Sequence, residues 1–286
     1  MPTILPRNIL QFCDVVPVAA GDFEGMIEVR TVAGLVLLAL GIGLRAAIAA
    51  PLDDAAEQYR PYMIEGIGQA LAGARDLREH IAAHDLSGAK KAWISARAGW
   101  ERSEVFTAGF VPELDAEIDA WPNAVSGFHA VEAKLFGAGS TDVLDDTDQL
   151  VQHLDSLHKK LYGMTLTPQG LLDGTVRLAY EVGESKADGG ESRISGTSLD
   201  DMRNNVAGIG FAYRTIFGPA LGAADTKLAE AVDARIRQLE VIVAAPDLPH
   251  VNIPALRRAS EELVVTLQSA SAKLGLQRAT LEANLK

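Results

Sequence analysis

The sequence predicts an all-α protein built from two antiparallel four-helix bundles. Apolar residues recur at three- and four-residue spacing over most of the chain, and the alternating β-branched runs typical of strands are scarce. Glycine, proline and capping residues separate the periodic segments, so the connections are short. Helices of this length with short connections pack most simply as two bundles, at about residues 53–162 and 163–280.

About eight helices are expected, and residues that stop or cap a helix separate them. In chain order they are Asp53–His84, Ser87–Thr107, Pro122–Phe136, Asp142–Tyr162, Pro168–Lys186, Ser198–Phe217, Ala223–Ala244 and Ile253–Leu274. The glycine pair at 189–190 and Pro246 are typical stops. Asp200 and Asp201 lie in the first turn of the sixth helix, where negative charge complements the helix dipole.

The first 49 residues have the layout of an export leader. An apolar run at residues 31–44 is followed by small residues at 46–50, which is the order of a signal peptide and its cleavage site. We therefore predict a true start at Met26 and cleavage after Ala49. A membrane anchor is the alternative, but a span needs about twenty apolar residues, and Arg45 ends this run.

Composition and charge exclude several classes of partner and site. Lysine and arginine number 26 against 38 acidic residues, a formal charge of -12, which is the wrong sign for binding nucleic acid or an anionic membrane. The single cysteine, Cys13, allows neither an internal disulfide nor a CxxC motif. An exported, acidic protein of this kind fits a bacterial periplasm, and any metal ion must be held by carboxylates and histidines.

Potential metal ligands concentrate between residues 100 and 136. Three pairs have the spacing that places two side chains on one helix face: Glu101 with Glu104, Asp115 with Asp119, and His129 with Glu132. Carboxylates with one imidazole suit iron, manganese or zinc. The alternative is that these acidic pairs form an ordinary solvated surface.

The segment around His129 carries a recognisable motif. Residues 126–137, SGFHAVEAKLFG, resemble the GFHxxExxLFG signature of the imelysin-like, EfeO-type proteins of bacterial periplasms. Further stretches resemble other motifs of this family and follow in the same order: WERSE at 100–104, ELDAEIDA at 113–120, GGESRIS at 189–195, and LDD and NVAG at 199–201 and 205–208.

The resemblance implies a pair of helical bundles with a metal site formed by Glu101, Asp119, His129 and Glu132. It implies iron as the metal ion, with zinc or copper as alternatives. The partners it implies are an inner-membrane iron permease and a periplasmic haem peroxidase.

The chain departs from the family pattern at two positions and in its length. Gly196 stands where the pattern has a histidine, and Trp121 where it has an arginine. We also expect no amino-terminal cupredoxin-like domain, because the chain has no room for one.

Three functions follow from this sequence. The leading one is a periplasmic metal-binding protein, the iron-binding component of an EfeUOB-like uptake system. The second is binding of alginate or another acidic polysaccharide, which the negative charge disfavours unless a divalent ion bridges the two. The third is a metallopeptidase, but no further histidine marks a catalytic base, so we expect no enzymatic activity.

Overall fold

The computed structural model describes residues 27–120, 125–187 and 189–281, with side chains from residue 52 onward. Within these ranges the protein is all-α, as predicted, and has no strand. The chain divides into two compact units, residues 1–44 and residues 45–286. The predicted leader, 1–49, with its start at Met26 and its cleavage after Ala49, lies outside the residues whose side chains are described.

The helices follow one another with short connections. They are α1 (Ile27–Ala82), α2 (Leu86–Glu101), α3 (Thr107–Phe110), α4 (Pro112–Ile118), α5 (Gly127–Glu132), α6 (Leu144–Lys160), α7 (Pro168–Gly183), α8 (Ser198–Ala212), α9 (Gly218–Ala224), α10 (Thr226–Val243) and α11 (Ile253–Lys273). Helices α5 and α8 continue as π-helical turns, Ala133–Ala138 and Tyr213–Phe217. Several helices begin at a side chain that accepts a hydrogen bond from a backbone N–H of the first turn: Asp85, Thr167, Asp225 and Asn252.

The amino-terminal half packs α1, α2, α5 and α6 around a common core. Small residues let α1 and α2 approach closely: a Cβ added to Gly73 would lie 2.7 Å from the backbone nitrogen of Ala96. Trp93 of α2 is fully buried, and its indole N–H donates to the carbonyl of Phe128 in α5 at 3.0 Å. These contacts fix the position of α5, which carries His129.

The carboxyl-terminal half is a closed four-helix arrangement in which α7, α8, α10 and α11 each pack against two neighbours. Its core is apolar, and Leu172, Ile209, Leu239 and Leu263 are fully buried. Helix α8 also packs against α2, where a Cβ added to Gly208 would lie 2.5 Å from the carbonyl oxygen of Arg102. This contact aligns the acidic end of α2 with α8.

Some predicted helix boundaries are wrong. The helix expected at Ser87–Thr107 ends at Glu101, and the chain then turns before α3 and α4. The backbone there bonds to the residue three earlier, as from Ser103 N–H to the carbonyl of Trp100 at 2.8 Å, and Ser103 Oγ donates to the carbonyl of Gly99 at 2.9 Å. The helix expected at Pro122–Phe136 begins at Gly127, and residues 121–124 lie outside the described ranges. No helix within those ranges combines the length and apolarity that a membrane span requires.

Candidate metal centre

A buried cluster of charged side chains lies where α2, the end of α4, α5 and α8 meet. Arg97 and Glu101 are one turn apart on α2, and each is at most 1% exposed. Asp119 follows the last residue of α4, and His129 lies in α5. Burial of so many charges is unusual, because a buried charge is stable only when it is paired and hydrogen-bonded.

The three-residue spacing of His129 and Glu132 produces a hydrogen bond between them. Nδ1 of His129 lies 2.9 Å from Oε2 of Glu132. Oε1 of Glu132 accepts two further hydrogen bonds, from the backbone N–H of Ser195 at 2.8 Å and from its hydroxyl at 2.6 Å. Burial raises the pKa of Glu132, but these hydrogen bonds outweigh it and leave the pKa below its ordinary value. Glu132 is therefore ionised, and Nδ1–H of His129 donates to it.

That hydrogen bond fixes the tautomer of His129. With the proton on Nδ1, the neutral imidazole carries its lone pair on Nε2, the form in which histidine binds metal ions. Nε2 faces Asp119 Oδ1 at 3.6 Å and Glu191 Oε1 at 3.9 Å. The cluster offers three possible ligand atoms within 4.8 Å of one another, one each from Asp119, His129 and Glu191.

Glu191 belongs to the connection between α7 and α8, and α8 itself adds Asp201. Glu101, Glu191 and Asp201 form a second carboxylate group with oxygens within 4.8 Å of one another. Ser192 Oγ donates to Asp201 at 2.5 Å, which fixes that carboxyl group against the connection. Carboxylates from three separate elements thus converge beside His129.

The guanidinium of Arg97 links these carboxylates. Its nitrogens pair with Glu101 and Asp119, with Glu191 at 2.6 Å and with Asp201 at 3.6 Å. Burial disfavours the charged guanidinium, but the surrounding carboxylates outweigh it and hold the pKa of Arg97 above its ordinary value. The planar, multidentate donor set of arginine suits this bridging position.

The ammonium of Lys186 is a second buried cation. Nζ lies 2.6 Å from Glu101 Oε2, 2.9 Å from Glu191 Oε1 and 3.2 Å from Glu104 Oε2. The amide of Asn205 donates to the same Glu101 and Glu104 oxygens at 2.8 Å. Lys186 and Asn205 thus hold two carboxylates of the turn after α2 together.

Burial and pairing divide the carboxyl groups into two classes. Burial raises the pKa of Glu101 and Asp119, but the charges of Arg97 and Lys186, with further contacts, together outweigh it, so the pKa of Glu101 is lowered and that of Asp119 falls to about 2. Burial, with repulsion from other carboxylates, raises the pKa of Glu104, Glu191 and Asp201. The first two carboxylates balance the two cations, and the other three favour the protonated form.

Gly127 sets the start of α5 against the end of α4. Its φ is +61°, and an added Cβ would lie 2.2 Å from the carbonyl oxygen of Ile118 and 2.6 Å from that of Glu117. Only glycine fits both the backbone conformation and the close approach. The glycine that opens the GFHxxE motif therefore positions His129 beside Asp119.

The structure brings the predicted residues Glu101, Asp119 and His129 together, and places Glu132 at the opposite ring nitrogen of His129. Sequence reasoning had assigned no role to Arg97, Lys186 or Glu191, and had used Asp201 only for the dipole of its helix. The four-residue spacing of Arg97 and Glu101 is a signal that could have been used. Lys186 is the last residue of the helix expected at Pro168–Lys186, which ends at Gly183 in the structure, and has no such signal.

The donor set fits a hard or borderline cation. Carboxylate oxygens and one imidazole nitrogen are the ligands that iron, manganese and zinc accept, and the described cluster contains no sulfur. The carboxyl groups of Glu101, Glu104, Asp119, Glu191 and Asp201 also outnumber the cations Arg97 and Lys186, so a bound metal ion could take the place of protons on the carboxyl groups whose pKa is raised.

A small cavity of about 170 Å³ lies beside Arg97 and Asp201 of this cluster. Its lining residues are Ile94, Arg97, Ala98, Thr197, Asp200, Asp201 and Asn204. Arg97 and Asp201 are buried, whereas Asp200 is exposed. The size suits a small ion with part of its hydration shell.

Comparison with known families and structures shows similarity over most of the chain. The model of the imelysin family, peptidase family M75, matches residues 55–124 and 123–274. A structure of an iron-regulated protein A precursor from Parabacteroides distasonis superimposes with a TM-score of 0.64 at 16% identity, covering 79% of this chain and 95% of that one. That similarity concerns the fold alone.

Two sequence relatives have names that refer to the Efe system. The iron uptake system component EfeO of Yersinia pseudotuberculosis is 30% identical over 197 residues, which cover 65% of this chain and 52% of the relative. An Efem/EfeO family lipoprotein of Staphylococcus aureus is 31% identical over 198 residues, covering 64% and 68% respectively. The chain thus spans about half the length of the Yersinia relative.

Proposed function

Because the chain belongs to the imelysin family, we propose that it is an extracytoplasmic metal-binding protein, the iron-binding component of an EfeUOB-like uptake system. The observation that carries the proposal is the convergence of Asp119, His129 and Glu191 in one buried anionic group. The name of the Yersinia relative, an iron uptake system component, supports iron as the cargo ion.

The ion-binding atoms in this proposal are Nε2 of His129 with carboxylate oxygens of Asp119 and Glu191. Glu101 belongs to the two adjoining carboxylate groups, one of which contains Asp119 and the other Glu191. Glu132 acts through His129, because its hydrogen bond to Nδ1 keeps the proton away from the ion-binding nitrogen. Carboxylates around a di- or trivalent ion also compensate its charge.

The proposal extends to export and partners. Cleavage after Ala49 would release a chain that begins at Ala50 into the periplasm, where an inner-membrane iron permease would receive the ion and a haem peroxidase would act in the same system. Mass spectrometry of the exported protein tests the first step: an amino terminus at Ala50 supports it, and retention of residues 1–25 contradicts it.

A peptidase function is less well supported by the same contacts. A metallopeptidase needs a carboxylate free to take a proton from metal-activated water. Both carboxylate oxygens of Glu132 accept hydrogen bonds, from His129 and Ser195, so this residue is placed to orient the imidazole. The arrangement favours binding of the ion without bond-making chemistry.

Calorimetric titration with ferrous iron under anaerobic conditions, and with zinc and copper, tests the metal-binding function. We expect the parent to bind one ion and His129→Ala to lose at least tenfold in affinity, or about 1.4 kcal/mol. His153→Ala is the matched control, because His153 is a partly exposed histidine of α6 beside Glu117. Equal affinity of parent and His129→Ala would place the ion elsewhere, and the absence of binding to the parent would contradict the proposal.

A further inference from the structure

The two cations of the metal centre are held in different ways. Arg97 lies within α2, and its planar guanidinium bridges carboxylates of α2, the end of α4 and the α7–α8 connection. Lys186 lies in that connection, and its flexible four-carbon side chain ends in one compact ammonium group. Arg97 is therefore anchored in a helix, whereas Lys186 is anchored in a connecting segment.

The ammonium of Lys186 has the surroundings of a bound cation. Three carboxylate oxygens, from Glu101, Glu104 and Glu191, lie within 3.2 Å of Nζ, and the residue is only 1% exposed. Each of these carboxylates belongs to at least one of the groups whose oxygens could hold a metal ion.

Lys186 and His129 share one carboxylate oxygen. Oε1 of Glu191 lies 2.9 Å from Nζ of Lys186 and 3.9 Å from Nε2 of His129. An ion held between His129 and Glu191 would therefore lie close to the ammonium, and the two positive charges would repel each other strongly in a buried site. The ion and the ammonium would therefore compete for Oε1 of Glu191.

We propose that Lys186 is an internal counter-cation that occupies the carboxylates of the centre in the ion-free protein and competes with the cargo ion for Glu191 and Glu101. This inference rests on the proposed metal-binding function. The competition keeps the ion-free centre compact and lowers the affinity for the ion. A carrier that must hand its ion to another protein needs such reversible binding.

The test replaces the ammonium by an uncharged side chain of similar length. We expect Lys186→Met to bind zinc and ferrous iron at least tenfold more tightly than the parent. Lys159→Met is the matched control, because it removes the same charge from an exposed lysine of α6 that pairs with Asp155, and its affinity should stay within about twofold of the parent. Lys186→Arg retains a cation and should not show the gain in metal affinity.

Removal of Lys186 also leaves three buried carboxylates without their ammonium partner. We therefore expect the metal-free Lys186→Met protein to melt at a lower temperature than the parent. Its melting temperature should rise more on addition of metal than that of the parent. If Lys186→Met fails to fold, the double variant Lys186→Met with Glu104→Gln removes one acidic group and so offsets the lost ammonium. It is compared with Glu104→Gln alone. The double variant should then bind tenfold more tightly than that single variant.

The outcomes separate this inference from the proposed function. If the parent binds metal but Lys186→Met binds no more tightly, or if Lys159→Met gains as much, Lys186 is a structural counter-ion and the inference is wrong while the function stands. If the parent binds neither zinc nor iron, the proposed function fails and the inference fails with it.

Discussion

Glu132 controls the imidazole of His129 through a single hydrogen bond. The Glu132 carboxylate accepts a hydrogen bond from Nδ1–H of His129, and the hydroxyl of Ser195 donates to its other oxygen. The spacing of His129 and Glu132 on one helix thus yields an oriented imidazole whose Nε2 faces the cluster. The consequence is an effect on metal affinity without direct contact between Glu132 and the ion.

Glu132→Gln tests this indirect role. A glutamine amide can present an N–H to Nδ1 and so favour the wrong tautomer, and we expect metal affinity to fall by about tenfold. Calorimetric titration measures the loss. Glu113→Gln, on the exposed side of α4, is the control and should bind like the parent. Unchanged affinity of Glu132→Gln would show that the hydrogen bond does not set the tautomer.

Proton release should accompany metal binding. Burial raises the pKa of Glu191, and repulsion from Asp119 and Glu101 adds to it, so an ion bound by this carboxylate competes with a proton. Affinity should therefore fall as the pH is lowered. Titration at several pH values, in buffers of different ionisation enthalpy, measures both the affinity and the number of protons released. An affinity independent of pH would contradict this role of Glu191.

The contribution of Asp115 to stability falls as the pH rises, whereas that of an ion-paired carboxylate grows. Burial raises its pKa to about 6, although Arg177 opposes the shift. The folded state therefore binds the proton more tightly than the unfolded state, whose pKa is near 3.8. The stabilisation is complete below about pH 4 and is lost as the pH rises through 6.

Asp115→Asn should remove this dependence. In chelator, we expect the free energy of unfolding of the parent, relative to the variant, to fall between pH 5 and pH 8. Urea denaturation of both proteins at these two pH values measures the difference. Parallel pH profiles would show that Asp115 titrates normally.

Helix α5 depends on a glycine at its first residue. Gly127 has a positive φ and no room for a Cβ beside the carbonyls that end α4. Gly127→Ala should lower the free energy of unfolding by about 2 kcal/mol or more and weaken metal binding, since α5 must shift away from Asp119. Chemical denaturation and titration measure the two effects.

Gly139 provides the matched control for Gly127. Its φ is +65°, but a Cβ there would meet nothing within 4 Å. Gly139→Ala therefore incurs only the backbone strain, of about 1 kcal/mol, and should bind metal like the parent. If both variants bind metal equally well, the close approach of α4 and α5 does not position His129.

The sequence predicted the long helices well and the short ones poorly. Periodicity and stop residues located α6, α7, α10 and α11 closely, because each has several turns with one apolar face. It missed the end of α2 at Glu101 and the short helices α3 and α4. There, hydroxyl side chains and Pro112 compete with helix continuation, and tertiary contacts of buried residues decide the result.

At the scale of the molecule, the candidate metal centre combines parts that are predictable to different degrees. Spacing and the family motif predicted His129, Glu132, Glu101 and Asp119, which lie on helices or at their ends. Lys186 and Glu191 come from the α7–α8 connection, and their approach to α2 depends on how the two halves of the fold pack through α8. Local sequence patterns carry no information on that packing.

The central claim is that the cargo ion binds among Asp119, His129 and Glu191. Crystals of the metal-loaded protein, measured at the absorption edge of iron, test it most directly. The account predicts an anomalous peak about 2 Å from Nε2 of His129 and from carboxylate oxygens of Asp119 and Glu191, with Nδ1 of His129 still bonded to Glu132. A peak at a surface site away from these residues, or none in a fully loaded protein, would contradict the claim.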